Sequence, residues 1–235
     1  MIKSDNINLA QAELALKWKC SCDSFRADNN IFLQCSDSFF EMITFGKNVV
    51  IRADKLMYDW SVYNFSKVPA NEIMDGAYLF IIEAKLREFG KKLAGEHVRY
   101  LYFNNEKTIP KPNDFEFRLF DKSNIKGFYA GKDFQNALNY YNDVIALGAY
   151  DGSKLVALAG ADDGMNRLWQ IGIDTLYDYR NNGLASYLVK TLADEIVKRG
   201  AEPYYTTWSA NIASTTVAIN TGFMPAWVEY YAEDL

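Results

Sequence analysis

The sequence predicts an α/β fold, of the α+β kind, in which helices flank a mixed and mostly antiparallel sheet. Three observations predict it. Two apolar runs in residues 144–161 are joined by "DGSK", and an Asp-Gly pair between such runs is typical of a β-hairpin. The apolar run 167–177 precedes a segment, 184–199, with apolar residues at helical spacing. Strand-like and helical stretches then alternate towards the C-terminus.

The individual elements follow from the same patterns. In the second half we expect strands at 115–120, within 144–161, at 167–177 and at 203–208, helices at 133–143, 184–199 and 211–222, and a last extended segment at 224–232. In the first half, residues 49–56 and 98–103 read as strands because they are rich in β-branched and aromatic residues. Asn71 is a plausible N-cap for a helix between them, with Asp75 in its first turn, Lys91 near its end and Gly95 after it.

A polar segment divides the chain into two predicted domains. "NEKTIPKPND" (105–114) contains two prolines, which disfavour helix in the residues before them. A chain of 235 residues is also above the typical size of one domain. We therefore expect an N-terminal accessory domain of mixed α/β structure at 1–114 and a second domain at 115–235.

Charge and hydropathy exclude several classes of partner. The net charge is −5 and the basic residues are scattered, which disfavours a nucleic-acid partner because such proteins carry a basic face. No stretch approaches the ~18–20 uninterrupted apolar residues of a membrane span. The start "MIKSDNINLAQAEL" lacks the apolar segment of a signal peptide, so we expect a cytoplasmic protein with no membrane partner.

Three cysteines, Cys20, Cys22 and Cys35, could form a metal site with His97, the only histidine. The Cys-x-Cys spacing is not one of the common zinc-binding spacings, and His97 is far away in sequence. An odd number of cysteines in a cytoplasmic chain also argues against a disulfide framework. We favour inert thiols and a structural histidine, and expect no metal.

The helix at 184–199 begins in an unusual way. Arg180, Asn181, Asn182 and Gly183 precede it, and no Ser, Thr or Asp followed three residues later by Glu or Gln closes its first turn. Gly183 lacks a Cβ, so its backbone can be approached closely. The first four amides of a helix have no internal partner, and together with the helix dipole they can bind a phosphate. An Arg-x-x-Gly-x-Ala turn is also common as a plain strand-to-helix connection.

Two motifs in order make residues 115–235 resemble the GCN5-related N-acetyltransferase (GNAT) superfamily. "IGIDTLYDYRNNGLASYLVKTL" matches the family's strand–loop–helix motif at Arg180, Gly183 and Ala185. "YYTTWSANIASTTVAINTGF" resembles its second motif, a strand followed by Asn211, a short helix and the pair Gly222–Phe223. The chain resembles a bacterial subgroup with an extra N-terminal domain.

The resemblance implies acetyl-CoA as cosubstrate and an acceptor that carries an amine. It implies a pyrophosphate on the loop amides, a pantetheine arm along the preceding strand, and contacts near the distal part of the cofactor. It is also compatible with a homodimer. The cofactor-binding residues so implied are Ile173, Asp174, Thr175, Leu176, Arg180, Asn181, Asn182, Gly183, Leu184, Ala185, Asn211 and Ser214.

The chain departs from the family pattern at the proton donor. In many members a tyrosine four residues before the Gly of the Gly-Phe pair donates a proton to the leaving thiolate, and here that position is Ala218. Tyr204 and Tyr205 lie on the strand that borders the expected thioester site, with side chains on opposite faces. An ordinary tyrosine stays protonated at neutral pH and could donate. We therefore take these two as the candidate catalytic residues, although a buried structural role is commoner for tyrosine.

Two functions of different classes remain open. The first is an N-acetyltransferase that transfers the acetyl group directly from acetyl-CoA to a primary amine. The second is a module that binds acetyl-CoA without transferring it and acts as a sensor or in protein interactions, which the absence of the tyrosine favours. Release of free CoA thiol with a panel of amines discriminates between them. A serine hydrolase lacks support, because the sequence contains no Gly-x-Ser-x-Gly motif.

Overall fold

A computed structural model of the chain describes residues 4–103, 106–131, 133–139 and 142–235. Its helices are α1 (Ser4–Trp18), α2 (Lys55–Phe65), α3 (Ala70–Ile73), α4 (Gly76–Arg87), α5 (Lys122–Ile125), α6 (Leu184–Lys198) and α7 (Ile212–Asn220). Its strands are β1 (Ile31–Gln34), β2 (Phe40–Thr44), β3 (Val49–Ala53), β4 (Lys91–Leu93), β5 (His97–Tyr102), β6 (Glu116–Asp121), β7 (Asp143–Asp151), β8 (Lys154–Met165), β9 (Leu168–Thr175), β10 (Glu202–Thr207) and β11 (Phe223–Asp234). The predicted fold class, a mixed and mostly antiparallel sheet with flanking helices, is confirmed.

The chain forms two compact units. The first contains the residues up to Glu13 together with Tyr100–Pro225, and the second contains Leu14–Arg99 together with Ala226–Leu235. The limits of both units therefore differ from the predicted boundary at residue 114. The division into an N-terminal domain at 1–114 and a second domain at 115–235 stays a prediction. Residues 106–114 of the predicted linker contain no helix or strand, and Asn105 lies outside the described residues.

The sheet of the first unit contains the hairpin that "DGSK" predicts. Strands β6, β7, β8 and β9 pair antiparallel in sequence order, and β9 then pairs in parallel with β10. Helix α6 connects β9 to β10, and its buried face carries the predicted apolar stripe, including Leu184, Leu188 and Leu192. That stripe packs on the sheet because a helix with one apolar face needs a second layer to cover it.

The second unit contains several paired strands and a core cluster. Strand β3 pairs in parallel with β1 and antiparallel with β2, and β11 pairs antiparallel with β2 and β4. Helices α2 and α4 contribute Met57, Phe65 and Ile82 to a cluster that includes Phe40 and Ile51, all of them fully buried or nearly so. Strand β3 is buried along its whole length, which explains the unbroken apolar run "VVI".

Two predicted helices differ from the structure. The helix expected from Asn71 to Lys91 is two helices, α3 and α4, because the side chain of Asp75 caps the second of them, accepting from the Gly76 N–H at 2.7 Å. Lys91 lies in β4 instead of a helix end. The helix expected at 133–143 is wrong, because residues 133–139 form turns and irregular backbone and Asp143 begins β7. Tyr140 and Tyr141 lie outside the described residues.

Candidate functional site

Strands β9 and β10 separate partway along their length. Their parallel pairing begins with the pair Leu168–Glu202 and ends with the pair Ile171–Tyr205. Strand β9 continues to Thr175 because β8 holds its other edge as far as the Ala157–Thr175 pair. The edge of β9 from Gly172 onwards therefore faces a split in the sheet. An extended ligand could pair with such an edge as an added strand does.

A bare helix start lies just beyond this split. Gly183 caps α6 in the left-handed conformation, with φ of 75°, and it has no side chain to bond the first helical amides. Asn181 is also left-handed, with φ of 64°. The helical hydrogen bonds begin where the Tyr187 N–H donates to the Gly183 carbonyl at 3.0 Å. The preceding amides have no helical acceptor, so this turn can bind an anion.

Polar side chains brace the loop that leads to Gly183. The Arg180 Nε donates to the Thr175 carbonyl at 3.3 Å, and its guanidinium lies 5.4 Å from the centre of the Tyr177 ring. The Asn182 Nδ2 donates to the Tyr179 carbonyl at 3.3 Å. Arg180 and Asn182 are exposed, so they can still meet a ligand while they hold the backbone.

The predicted residues of the second motif are engaged within the protein. Asn211 caps α7, and its side chain accepts from the Ser214 N–H at 3.1 Å. The Ser214 hydroxyl lies 2.8 Å from the Tyr205 hydroxyl. Ser214 is therefore within hydrogen-bond distance of a candidate catalytic tyrosine, whereas the side chain of Asn211 stabilises the start of α7. Their predicted contacts with a cofactor stay predictions.

The two candidate tyrosines have different partners. The Tyr204 hydroxyl donates to Oε1 of Gln170 on β9 at 2.7 Å, while Tyr205 meets Ser214 on α7. Tyr205 is only 2% exposed, and it stands at the last β9–β10 pair before the split. Burial, together with the negative charge of Asp174, raises the pKa of Tyr205 to about 12. Tyr205 is therefore protonated at neutral pH and can donate a proton.

Ala218 is completely buried on α7, one helical turn after Ser214. Residues four apart on a helix share a face. The Tyr205 hydroxyl thus reaches the same face of α7 on which the family's tyrosine would stand.

One element of this region was not predicted from the sequence. The carboxylate of Asp174, a residue expected to contribute only its main chain, accepts from the N–H groups of Asn136 and Ala137 at 2.7 and 3.0 Å. Segment 133–139 therefore crosses β9 and β8. A signal for it exists, because Gly160 and Gly172 are paired neighbours on the two strands. Glycine inside a strand often marks close approach of another backbone.

A buried carboxylate holds the other end of this segment. Asp143 accepts from the Asn139 N–H at 3.0 Å and from the Tyr129 hydroxyl at 2.9 Å, and Asp162 stands opposite it on β8. Burial, aided by the charge of Asp162, raises the pKa of Asp143 to about 6, although the hydrogen bonds from Asn139 and Tyr129 act in the opposite direction. The folded protein therefore binds this proton more tightly than the unfolded chain does.

Replacing Asp143 with Asn is expected to change how stability depends on pH. Because the folded-state pKa is raised, the contribution of Asp143 is fully present below its ordinary pKa and is lost as the pH rises through about 6. Asn does not titrate, so the unfolding free energy of Asp143→Asn should improve relative to the parent between pH 4 and pH 7. The change should be at most about 3 kcal/mol, at about 1.4 kcal/mol per pKa unit. Urea unfolding at several pH values measures it, and parallel curves for the two proteins would contradict the assignment.

The cysteines and the histidine lie in the second unit. Cys20, Cys22 and Cys35 are free thiols, and Cys35 Sγ donates to the Ser38 carbonyl at 3.4 Å. His97 stacks on Tyr231 with ring centres 5.0 Å apart. Within the described ranges, no group of three or more His, Cys, Asp or Glu side chains is placed to hold a metal ion. Among all the residues that the structure describes, no helix has the length and apolar content needed to cross a membrane.

Comparison with known proteins gives a family and a fold. A family model described as GNAT acetyltransferase matches residues 70–230. A Drosophila protein structure is 15% identical over 77% of this chain and 67% of its own, with a TM-score of 0.52. A GNAT-like protein from Streptococcus suis is 17% identical over 68% of this chain and 69% of its own, with a TM-score of 0.49.

A third structure, assigned to the GNAT family and from Novosphingobium aromaticivorans, is 16% identical and has a TM-score of 0.49. The matched region covers 61% of this chain and 66% of that one, so the chain spans slightly less than two thirds of its length. No curated protein sequence matches the chain. At 15% identity, the Drosophila structure with its TM-score of 0.52 bears on the fold alone.

Proposed function

The chain belongs to the GNAT acetyltransferase family, and from this premise we propose that it transfers the acetyl group of acetyl-CoA directly to a primary amine. The observation that carries the proposal is the split between β9 and β10, with the bare start of α6 beside it. An edge that can pair with an extended arm and a turn that can bind a pyrophosphate stand next to each other in sequence. Acetyl-CoA has both parts.

The cofactor site of this proposal uses mainly backbone groups. The pyrophosphate binds the amides from Asn181 to Ala185, where the helix dipole favours negative charge. The pantetheine arm pairs with the free edge of β9 between Gly172 and Leu176. The Thr175 hydroxyl supports this assignment, because it is buried and has no hydrogen-bond partner among the residues that the structure describes. A buried polar atom without a partner is costly unless a ligand or water satisfies it.

The transfer needs a proton at sulfur. The neutral amine nitrogen attacks the thioester carbonyl, the C–S bond of the resulting tetrahedral intermediate breaks, and the thiolate leaves with the bonding electrons. The nitrogen, positively charged after the attack, loses one proton to solvent as the amide forms. We assign its proton to Tyr205 in preference to Tyr204, because the Tyr204 hydroxyl already donates to Gln170. Tyr205 meets a serine hydroxyl, which can donate to the phenolate oxygen once the proton has left.

The alternative is a module that binds acetyl-CoA without transferring it. Ala218 supports it, because this position carries no acid. Measuring free CoA thiol with small polyamines, aminoglycosides, lysine and peptides with free N-termini separates the two functions. An acetyltransferase releases thiol only when a suitable amine is present. Binding of acetyl-CoA with no release for any amine class would favour the module.

Two further properties belong to the same proposal. We propose a cytoplasmic location, and we allow for a homodimer. Light scattering of the purified protein at several concentrations tests for the homodimer. A mass of one chain at every concentration would exclude the dimer.

A further inference from the structure

Residues 133–139, which we call the strap, lie directly on the backbone of two strands. The Asn136 carbonyl oxygen is 2.1 Å from the point where a Cβ on Gly172 would stand. The Ala137 carbonyl oxygen is 2.3 Å from the corresponding point at Gly160. Real Cβ atoms do not approach other atoms so closely, so the strap can occupy this place only because both residues are glycine.

The side chain of Asp174 holds the strap to β9. Its Oδ2 accepts from the backbone N–H groups of Asn136 and Ala137, and its Oδ1 accepts from the Asn136 Nδ2 at 2.8 Å. A carboxylate that accepts three hydrogen bonds forms stronger bonds than neutral groups do. The strap contains only turns and irregular backbone, so it has no ladder of its own to fix this stretch.

The point of attachment lies at the split. Asp174 comes after the last β9–β10 pair, in the part of β9 whose edge is free of β10. Gly172 and Asp174 are two residues apart, so they share one face of β9, and the strap lies on that face. Ala137 and Leu138 are buried in a cluster with Ile125, whereas Asn136 is exposed. The strap is thus anchored in the core at one side and borders the split at the other.

We propose that Asp174 is a positioning residue that holds the strap as the acceptor-side wall of the split. The proposal rests on the proposed function, because the wall matters only if an amine approaches the thioester there. Asp174 acts through the strap and need not touch either substrate. Its removal should alter access of the amine, while the pyrophosphate turn at Gly183 keeps its shape.

The first test follows the strap itself. In Asp174→Asn, one of the two acceptor oxygens becomes an NH₂ group and the negative charge is lost. Hydrogen exchange of the Asn136 and Ala137 amides should accelerate roughly tenfold or more, on the scale of a lost hydrogen bond to a charged group. Asp114→Asn, which removes an exposed carboxylate elsewhere in the first unit, is the control and should leave this exchange unchanged. Unchanged exchange in Asp174→Asn would overturn the assignment.

The second test concerns the amine. For an acceptor found with the thiol assay, the KM for the amine should rise roughly tenfold in Asp174→Asn while the affinity for acetyl-CoA, measured by calorimetry, changes little. Gly160→Ala displaces the strap from β8 without touching Asp174 or the split, and it should give the same pattern. Faster exchange with an unchanged KM would show that the strap is not the wall.

The two proposals can fail separately. If no amine is acetylated, the proposal that the strap forms an acceptor-side wall is refuted together with the proposed function. The exchange measurement still decides whether Asp174 holds the strap, because it needs neither substrate. If circular dichroism shows that Asp174→Asn has lost its folded structure, Gly160→Ala takes its place in the exchange and KM measurements.

Discussion

Gly183→Val is expected to bind acetyl-CoA tenfold to a hundredfold more weakly than the parent protein, roughly the effect of losing one hydrogen bond to a charged group. Gly183 has φ of 75°, a conformation that a β-branched residue strongly disfavours. The Val side chain also covers the amides to which we assign the pyrophosphate. Isothermal titration calorimetry with acetyl-CoA measures the loss.

The control for this variant lies at the other end of the same helix. Gly200 also has a positive φ, of 80°, and open space where a Cβ would stand. Gly200→Val therefore imposes a similar backbone strain far from the proposed pyrophosphate site, and acetyl-CoA affinity should stay within about threefold of the parent. Gly183→Asn, which tolerates a positive φ, separates strain from blocking of the amides. Unchanged affinity in a folded Gly183→Val protein would place the pyrophosphate elsewhere.

Tyr205→Phe should lower turnover by roughly tenfold to a few hundredfold, on the scale of lost general acid catalysis, with acetyl-CoA affinity little changed. The substitution removes one hydroxyl and keeps the buried ring, so the fold should persist. Because the Tyr205 pKa is raised to about 12, the phenol of the parent protein stays protonated between pH 7 and pH 10, and turnover should not fall through loss of this proton in that range.

Tyr204→Phe is the matched control, since it removes a hydroxyl from the adjacent residue of the same strand. It should cost less than threefold in turnover, because the Tyr204 hydroxyl is occupied by Gln170. If the Ser214 hydroxyl stabilises the Tyr205 phenolate, the turnover of Ser214→Ala should lie between those of Tyr205→Phe and Tyr204→Phe. Full turnover in Tyr205→Phe with a genuine acceptor would leave solvent as the proton donor.

The sequence predicted the elements that local patterns determine. The hairpin at Asp151–Lys154 follows from an Asp-Gly pair between apolar runs, and α6 follows from leucines at helical spacing. These features need only neighbouring residues to be recognised.

The strap could not be predicted in the same way. Its residues "DFQNALN" have helical spacing, but the N–H groups of Asn136 and Ala137 bond to a carboxylate some 37 residues further along the chain. A tertiary hydrogen-bond acceptor therefore overrides local propensity. The helix expected from Asn71 to Lys91 was broken for a local reason, since Asp75 caps a new helix when its backbone is extended.

The candidate site was predicted in part. The bare helix start is visible in the sequence, whereas the residue pair at which β10 leaves β9 is visible only in the strand pairing of the structure. The choice between Tyr204 and Tyr205 also needed three dimensions, because both residues look alike in the sequence and differ only in the partners of their hydroxyls.

A crystal structure of the protein with acetyl-CoA tests the central claim most directly. We predict that pyrophosphate oxygens lie within hydrogen-bond distance of backbone amides between Asn181 and Ala185, and that the pantetheine arm runs along β9 from Gly172 to Leu176. The acetyl group should then end near the Tyr205 hydroxyl. Acetyl-CoA bound away from the β9–β10 split, or no binding at crystallisation concentrations with this split open, would contradict the account.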